Sequence, residues 1–144
     1  MNYVSTRGGM HPQLFQDVLL EGLSPDGGLA VPESIPKVSA ETLESWRALT
    51  YPELAAKVLG YFVTDIEADK LSAMTAAAYR TDVFRSETIV SVRELGKGLS
   101  LLGVSEGPTL AFKDIAMQFL GQVFPHVLQA RDTTLNILGA TSGD

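Results

Sequence analysis

The sequence predicts an α/β chain in two parts: a mainly helical amino-terminal region with short strands over residues 1–80, then the beginning of a sheet domain over 81–144. Three observations carry this. Ahead of Arg80, apolar residues recur at helical spacing in short stretches with recognisable starts. After it they collect into compact runs, Ile89-Val90-Ser91-Val92 and Leu99-Ser100-Leu101-Leu102-Gly103-Val104, which read as strands. A helical pattern over 112–130 and a third apolar run, Thr133-Thr134-Leu135-Asn136-Ile137-Leu138-Gly139, complete the order strand, helix, strand of one α/β unit.

Taken in order, Asn2-Tyr3-Val4-Ser5 reads as a short strand that Thr6-Arg7-Gly8-Gly9 breaks. A helix is predicted over 12–21, with Phe15, Val18 and Leu19 on its buried face. Gly22-Leu23-Ser24-Pro25-Asp26-Gly27-Gly28 is a dense turn signal, and Leu29-Ala30-Val31-Pro32 is a short extended piece stopped by proline. Ser39-Ala40-Glu41-Thr42 supplies a capped, acidic helix start, with Leu43, Trp46 and Leu49 inward and an end near Thr50. Pro52 suits the first turn of a helix over 52–63, and a third helix is predicted over 67–79 with Leu71, Met74 and Ala78 inward. Trp46 and Tyr61 read as core aromatics, with a ligand pocket as the other reading. Gly96-Lys97-Gly98 is a hairpin turn, and a kink is expected at Phe124-Pro125. Arg7 stands beside a turn, where an arginine ties down backbone carbonyls or binds an anion.

Composition narrows the function. With 45% apolar residues in 144, the chain can bury a core. A net charge of -6 without a basic cluster argues against a nucleic-acid or anionic-membrane surface, and leaves small anionic ligands open. No cysteine is present, so disulfides, thiolate zinc sites and cysteine nucleophiles are excluded. His11 and His126 are assigned to helix ends beside Pro12 and Pro125, and no metal site is assigned. No run approaches the roughly 20 apolar residues of a membrane span, and there is no signal-peptide pattern, so the expected compartment is cytoplasmic.

The stretch around which the rest is organised is Gly107-Pro108-Thr109-Leu110-Ala111-Phe112-Lys113-Asp114. Gly-Pro makes a turn, Thr109 is expected to cap the helix, and Asp114 suits the positive end of the helix dipole. Phe112, Ala116, Phe119, Val123 and Val127 form one apolar stripe, and Met117, Leu120, Phe124 and Leu128 a second, headed by Lys113. The pattern permits two readings. A lysine can lay its stem on the helix and keep its ammonium in water, or it can sit semi-buried, where desolvation frees the amine as a nucleophile toward a carbonyl cofactor.

Three separated stretches together resemble the threonine synthase family of pyridoxal-phosphate enzymes. They are Tyr3-Val4-Ser5-Thr6-Arg7-Gly8, the turn from Gly22 through Gly28 with Leu29-Ala30-Val31-Pro32-Glu33, and Gly107 to Asp114 continuing into Gln118-Phe119. Thr141-Ser142-Gly143-Asp144 is similar to the opening of the family's Thr-Ser-Gly-Asp-Thr-Gly loop. The resemblance covers essentially the whole chain, and its Thr-Leu-Ala-Phe-Lys-Asp element is the most specific part. One departure is Val104-Ser105-Glu106, where the family often has leucine-phenylalanine-histidine, so no substrate contact is assigned there.

The resemblance implies an amino-terminal threonine synthase domain over 1–80 and the start of a fold-type-II pyridoxal-phosphate α/β domain over 81–144, truncated relative to the family. It implies conversion of O-phospho-L-homoserine and water to L-threonine and phosphate by the full-length parent, the last step of threonine biosynthesis. Lys113 is then the catalytic and cofactor-binding lysine for pyridoxal 5'-phosphate. Thr141, Ser142 and Gly143 are expected to bind the substrate carboxylate, and Asp144 to approach the cofactor's phenolic oxygen, where an unshared carboxylate charge is unfavourable. The chain by itself is expected to be inactive and to self-associate through its exposed surfaces. The alternatives are a related lyase on the same fold, a family-like lyase for another phosphorylated amino-alcohol, and a non-catalytic scaffold or interaction protein. The amino-terminal motifs speak against a threonine dehydratase or cysteine synthase, and the sequence after Asp144 would separate the other two.

Overall fold

Residues 1–140 are described by a computed structural model. In chain order the elements are β1 (Tyr3–Ser5), α1 (Phe15–Glu21), β2 (Ala30–Pro32), α2 (Ala40–Ser45), α3 (Tyr51–Leu59), α4 (Ala68–Ala78), β3 (Ser91–Gly96), β4 (Leu99–Gly103) and α5 (Asp114–Ala130). They fall into two compact units, one built from residues 1–49 and 53–72, the other from 50–52 and 73 onward.

In the first unit, the two short strands expected near the amino terminus pair antiparallel, with Tyr3 opposite Pro32, Val4 opposite Val31 and Ser5 opposite Ala30. Helix α1 starts at Phe15 and not at Pro12, because Gln13 forms an antiparallel bridge with Tyr3 of this ribbon. Its N–H donates to the Tyr3 carbonyl at 3.1 Å and its carbonyl accepts from the Tyr3 N–H at 2.8 Å. The expected inward residues Phe15, Val18 and Leu19 are only half-buried, although the Phe15 ring meets Tyr3 at 6.2 Å between centroids. Ser39 caps α2, its hydroxyl accepting from the Thr42 N–H at 3.2 Å. That helix ends at Ser45, short of Thr50, as the chain tightens into a turn in which the Leu49 N–H reaches the Trp46 carbonyl at 3.0 Å. Leu43, expected inward, is exposed. Helix α3 stops at Leu59, four residues before the predicted end, and Val63 beyond it is buried.

Helix α4 matches its prediction to within a residue at each end. Leu71, Met74, Thr75 and Ala78 form the buried stripe, the i, i+3, i+4, i+7 pattern of one helix face.

The second unit is built on Tyr79. Its ring lies edge-on to Tyr51 at 5.0 Å and tilted against Phe84 at 6.2 Å. Phe119, Val123 and Val127 of α5 are buried in the same unit, and each valine, fully enclosed, contributes roughly 1.5–3 kcal/mol by leaving water. The first sheet strand lies at 91–96, later than the expected 89–92. Ile89 adopts φ +68, a left-handed conformation rare for a β-branched residue, in a turn where its N–H donates to the Ser86 carbonyl. Strands β3 and β4 pair antiparallel around a two-residue turn, Lys97-Gly98, in which both residues have positive φ, as a type I′ hairpin requires.

Two further expectations fail in this unit. Residues 133–139 are irregular and exposed instead of forming a strand, since no third strand lies beside them among the described residues. His126 lies inside α5 and not at its end. Helix α5 itself runs through Pro125, whose missing N–H leaves the Gly121 carbonyl without its helical donor. No described helix is long and apolar enough to cross a membrane, and no cluster of three potential metal ligands occurs among the described residues.

Candidate active site

The segment 107–113 is a tight, non-helical approach to α5. Its Leu110 N–H donates to the Gly107 carbonyl at 3.1 Å, and Leu110 takes φ +62. The helix then opens with the Ala116 and Met117 N–H groups both donating to the Lys113 carbonyl, at 3.0 and 2.9 Å. Lys113 is thus the residue at which helical bonding begins, with φ -61 and ψ -24.

Asp114 locks this approach. Its carboxylate is buried and accepts from both the Thr109 N–H and the Thr109 hydroxyl, each at 2.9 Å. The sequence suggested that Thr109 would cap the helix. Instead the first helical side chain reaches back and holds the turn, and Thr109 donates to it. Gly107 is required by the same packing, because a Cβ there would fall 2.7 Å from the Asp114 carboxyl carbon.

Tyr79 supports the segment from the other side. Its hydroxyl donates to the Ile115 carbonyl at 3.1 Å, two residues beyond Lys113. Burial, with Tyr51 close by, pushes the Tyr79 phenol up to about 12, so it remains a donor throughout the neutral range. Sequence reasoning missed this residue. Its only signal was an aromatic at the end of a predicted helix.

Lys113 differs from the semi-buried expectation, for its side chain is exposed. Its Nζ lies 5.7 Å from the centroid of the Phe112 ring, which is itself 63% exposed. The reason is that Leu110 turns the chain out of helical register, so Phe112 and Lys113 precede the buried stripe instead of heading it. An exposed lysine on a fixed backbone seat is chemically suited to bonding an aldehyde. Thr141, Ser142, Gly143 and Asp144 lie outside the described residues.

The amino-terminal module is held by a second acid. The Asp26 carboxylate accepts from the Ser5 hydroxyl at 2.7 Å, the Gly28 N–H at 2.9 Å and the Gly9 N–H at 2.7 Å. These bonds, the Ser5 hydroxyl first, hold the Asp26 carboxyl below its ordinary value. Arg7 takes the structural one of its two readings, donating through Nη1 to the Asp26 carbonyl at 3.0 Å.

Comparison with known proteins places these features. A family model described as threonine synthase N terminus matches residues 2–79. The threonine synthase of Corynebacterium glutamicum is 48% identical across the whole of this chain, which covers 31% of that protein. That of Methylobacillus glycogenes is 46% identical, again across the whole chain and over 32% of the relative. The chain therefore spans about a third of the length of these relatives. The crystal structure of a PLP-bound threonine synthase from Brucella melitensis superposes with a TM-score of 0.85 at 38% identity, covering 92% of this chain and 28% of that one. The mixed helix and strand architecture is that of the corresponding part of this structure.

Proposed function

The chain belongs to the threonine synthase family, and from that premise we propose that it is the amino-terminal part of an enzyme converting O-phospho-L-homoserine and water to L-threonine and phosphate with pyridoxal 5'-phosphate. The observation that carries the proposal is the seat of Lys113. Its backbone is fixed by the Asp114 to Thr109 clamp and the Tyr79 to Ile115 bond, while the residue itself is exposed. That arrangement fits an aldehyde cofactor, which needs an amine that is reachable yet held in one place. When bound, the cofactor supplies an electron sink for proton removal from the substrate.

Lys113 has two roles in this reading. Its Nζ would hold the cofactor by its aldehyde, and the same amine would move protons at the substrate's α- and β-carbons. The hydroxyls of Thr141 and Ser142 and the Gly143 N–H would bind the substrate carboxylate, and Asp144 would be a further cofactor contact. Residues 1–80 serve as the family's amino-terminal domain and 81–144 as the start of the cofactor-binding α/β domain. The enzyme works in the cytoplasm.

Borohydride reduction of the full-length parent loaded with pyridoxal phosphate, followed by peptide mapping, tests the assignment. The pyridoxyl label is expected on Lys113. A label on Lys37, Lys57, Lys70 or Lys97 instead would overturn it.

A further inference from the structure

Trp46 and Tyr61 read from the sequence as core aromatics, yet neither is buried. Both are half-exposed, and their rings face one another at 6.2 Å between centroids with 58° between planes. Beside this pair lies a cleft of about 330 Å³ lined by Thr42, Trp46, Lys57, Gly60 and Tyr61. None of these residues contributes to the Lys113 segment or to the Asp26 module.

The chemistry of the lining is one-sided. It holds one cation, Lys57, and no carboxylate. Lys57 is exposed and makes no ion pair among the described residues, whereas Arg47, next to Trp46, is matched by Glu44 at 2.6 Å. The uncompensated charge at the cleft is thus positive. Two aromatic rings supply flat apolar surface, and Thr42 and Tyr61 add hydroxyls at the wall. Gly60 adds only backbone to the wall, and a Cβ there would sit 3.2 Å from the Ala56 carbonyl oxygen. The volume is at the lower end of the range for small-molecule sites, room for a single-ring compound.

We propose that this cleft is a binding site for a small aromatic carboxylate, its ring against Trp46 and Tyr61 and its carboxylate paired with the Lys57 ammonium. The site is separate from the one assigned to Lys113, so it stands or falls independently of the catalytic reading.

Trp46 is the single tryptophan of the chain, which makes its fluorescence a direct reporter. Benzoate titrated into the full chain should change that fluorescence saturably, and should shift the backbone amide resonances of residues 42, 57, 60 and 61. Benzamide, the neutral isostere, should bind about tenfold more weakly, and Lys57→Gln should lower benzoate affinity about tenfold while leaving benzamide unchanged, the scale of one charge-assisted contact. Lys57 is exposed, so this variant keeps its fold. A linear response, equal affinity for benzoate and benzamide, an unaffected Lys57→Gln variant, or resonance shifts centred elsewhere would each overturn the proposal.

Discussion

Replacing Asp114 by alanine removes both acceptors from Thr109 while leaving Lys113 in the chain. The Thr109 N–H then has no partner in a partly buried turn, which costs about 1–3 kcal/mol. Asp114→Ala should therefore lower the midpoint of urea unfolding, with Asp114→Asn intermediate because it keeps one acceptor oxygen. An alanine variant as stable as the parent would show that the clamp contributes nothing. Asp26 makes a separate prediction in pH. Its folded-state carboxyl lies below the ordinary value, so its stabilisation is complete above the ordinary carboxylate range. As pH falls, the unfolded chain takes up the proton first, and stability is lost until the folded group protonates too. Asp26→Asn should flatten this acid limb, measured as amide exchange at Gly9 and Gly28; coincident limbs would refute it. The turn running into α5 at Lys113 was legible in the sequence because its motif is contiguous. The clamps were not: Ser5, Gly9 and Gly28 converge on Asp26 only after the β1–β2 ribbon has formed, and the exposure of Lys113 depends on the φ of Leu110.

The β3–β4 hairpin shows apolar side chains on both of its faces. Val92 pairs with Leu102 on one face, while Leu101, opposite Arg93, and Leu99 lie on the other, and all four apolar residues are more than 45% exposed. A sheet apolar on both sides is one meant to be covered on both sides. The two edges differ. Strand β3 carries Arg93 and Glu94, whereas the β4 segment Leu99–Gly103 has no charge and no proline to discourage pairing with another chain. The 144-residue chain is accordingly expected to self-associate through β4, and Leu101→Lys should shift sedimentation velocity profiles toward the monomer. The Lys97-Gly98 turn preserves the hairpin in that variant. Unchanged association would place the contact elsewhere. At this scale the sequence was informative where one signal sufficed, as with the regular stripe of α4 and the glycine-flanked hairpin turn. It misled where an element needed a distant partner. Gln13 was claimed by Tyr3, and residues 133–139 have strand composition but no neighbouring strand among the described residues.

For the whole molecule, the share of its relatives that the chain spans sets the expectation for activity. Alone, with pyridoxal phosphate and O-phospho-L-homoserine, it should release no phosphate, because positioning of cofactor and substrate draws on more of the protein than one lysine and its seat. The full-length parent should release phosphate and threonine in equal amounts. Multiple turnover by the isolated chain would overturn the first statement, and pyruvate or 2-oxobutyrate from serine or threonine as the main product the second. The ribbon around Tyr3 bears on how such a molecule is made. The backbone partners of Tyr3 are Gln13 and then Pro32, and its hydroxyl reaches the Phe62 carbonyl at 3.3 Å. A ribosome delivers them in that order, and at about 5–20 residues per second Pro32 trails Tyr3 by on the order of a few seconds. During that interval Gln13 is already made and Pro32 is not, so the edge of the first strand that faces β2 has no partner until the turn from Gly22 to Gly28 has been synthesised.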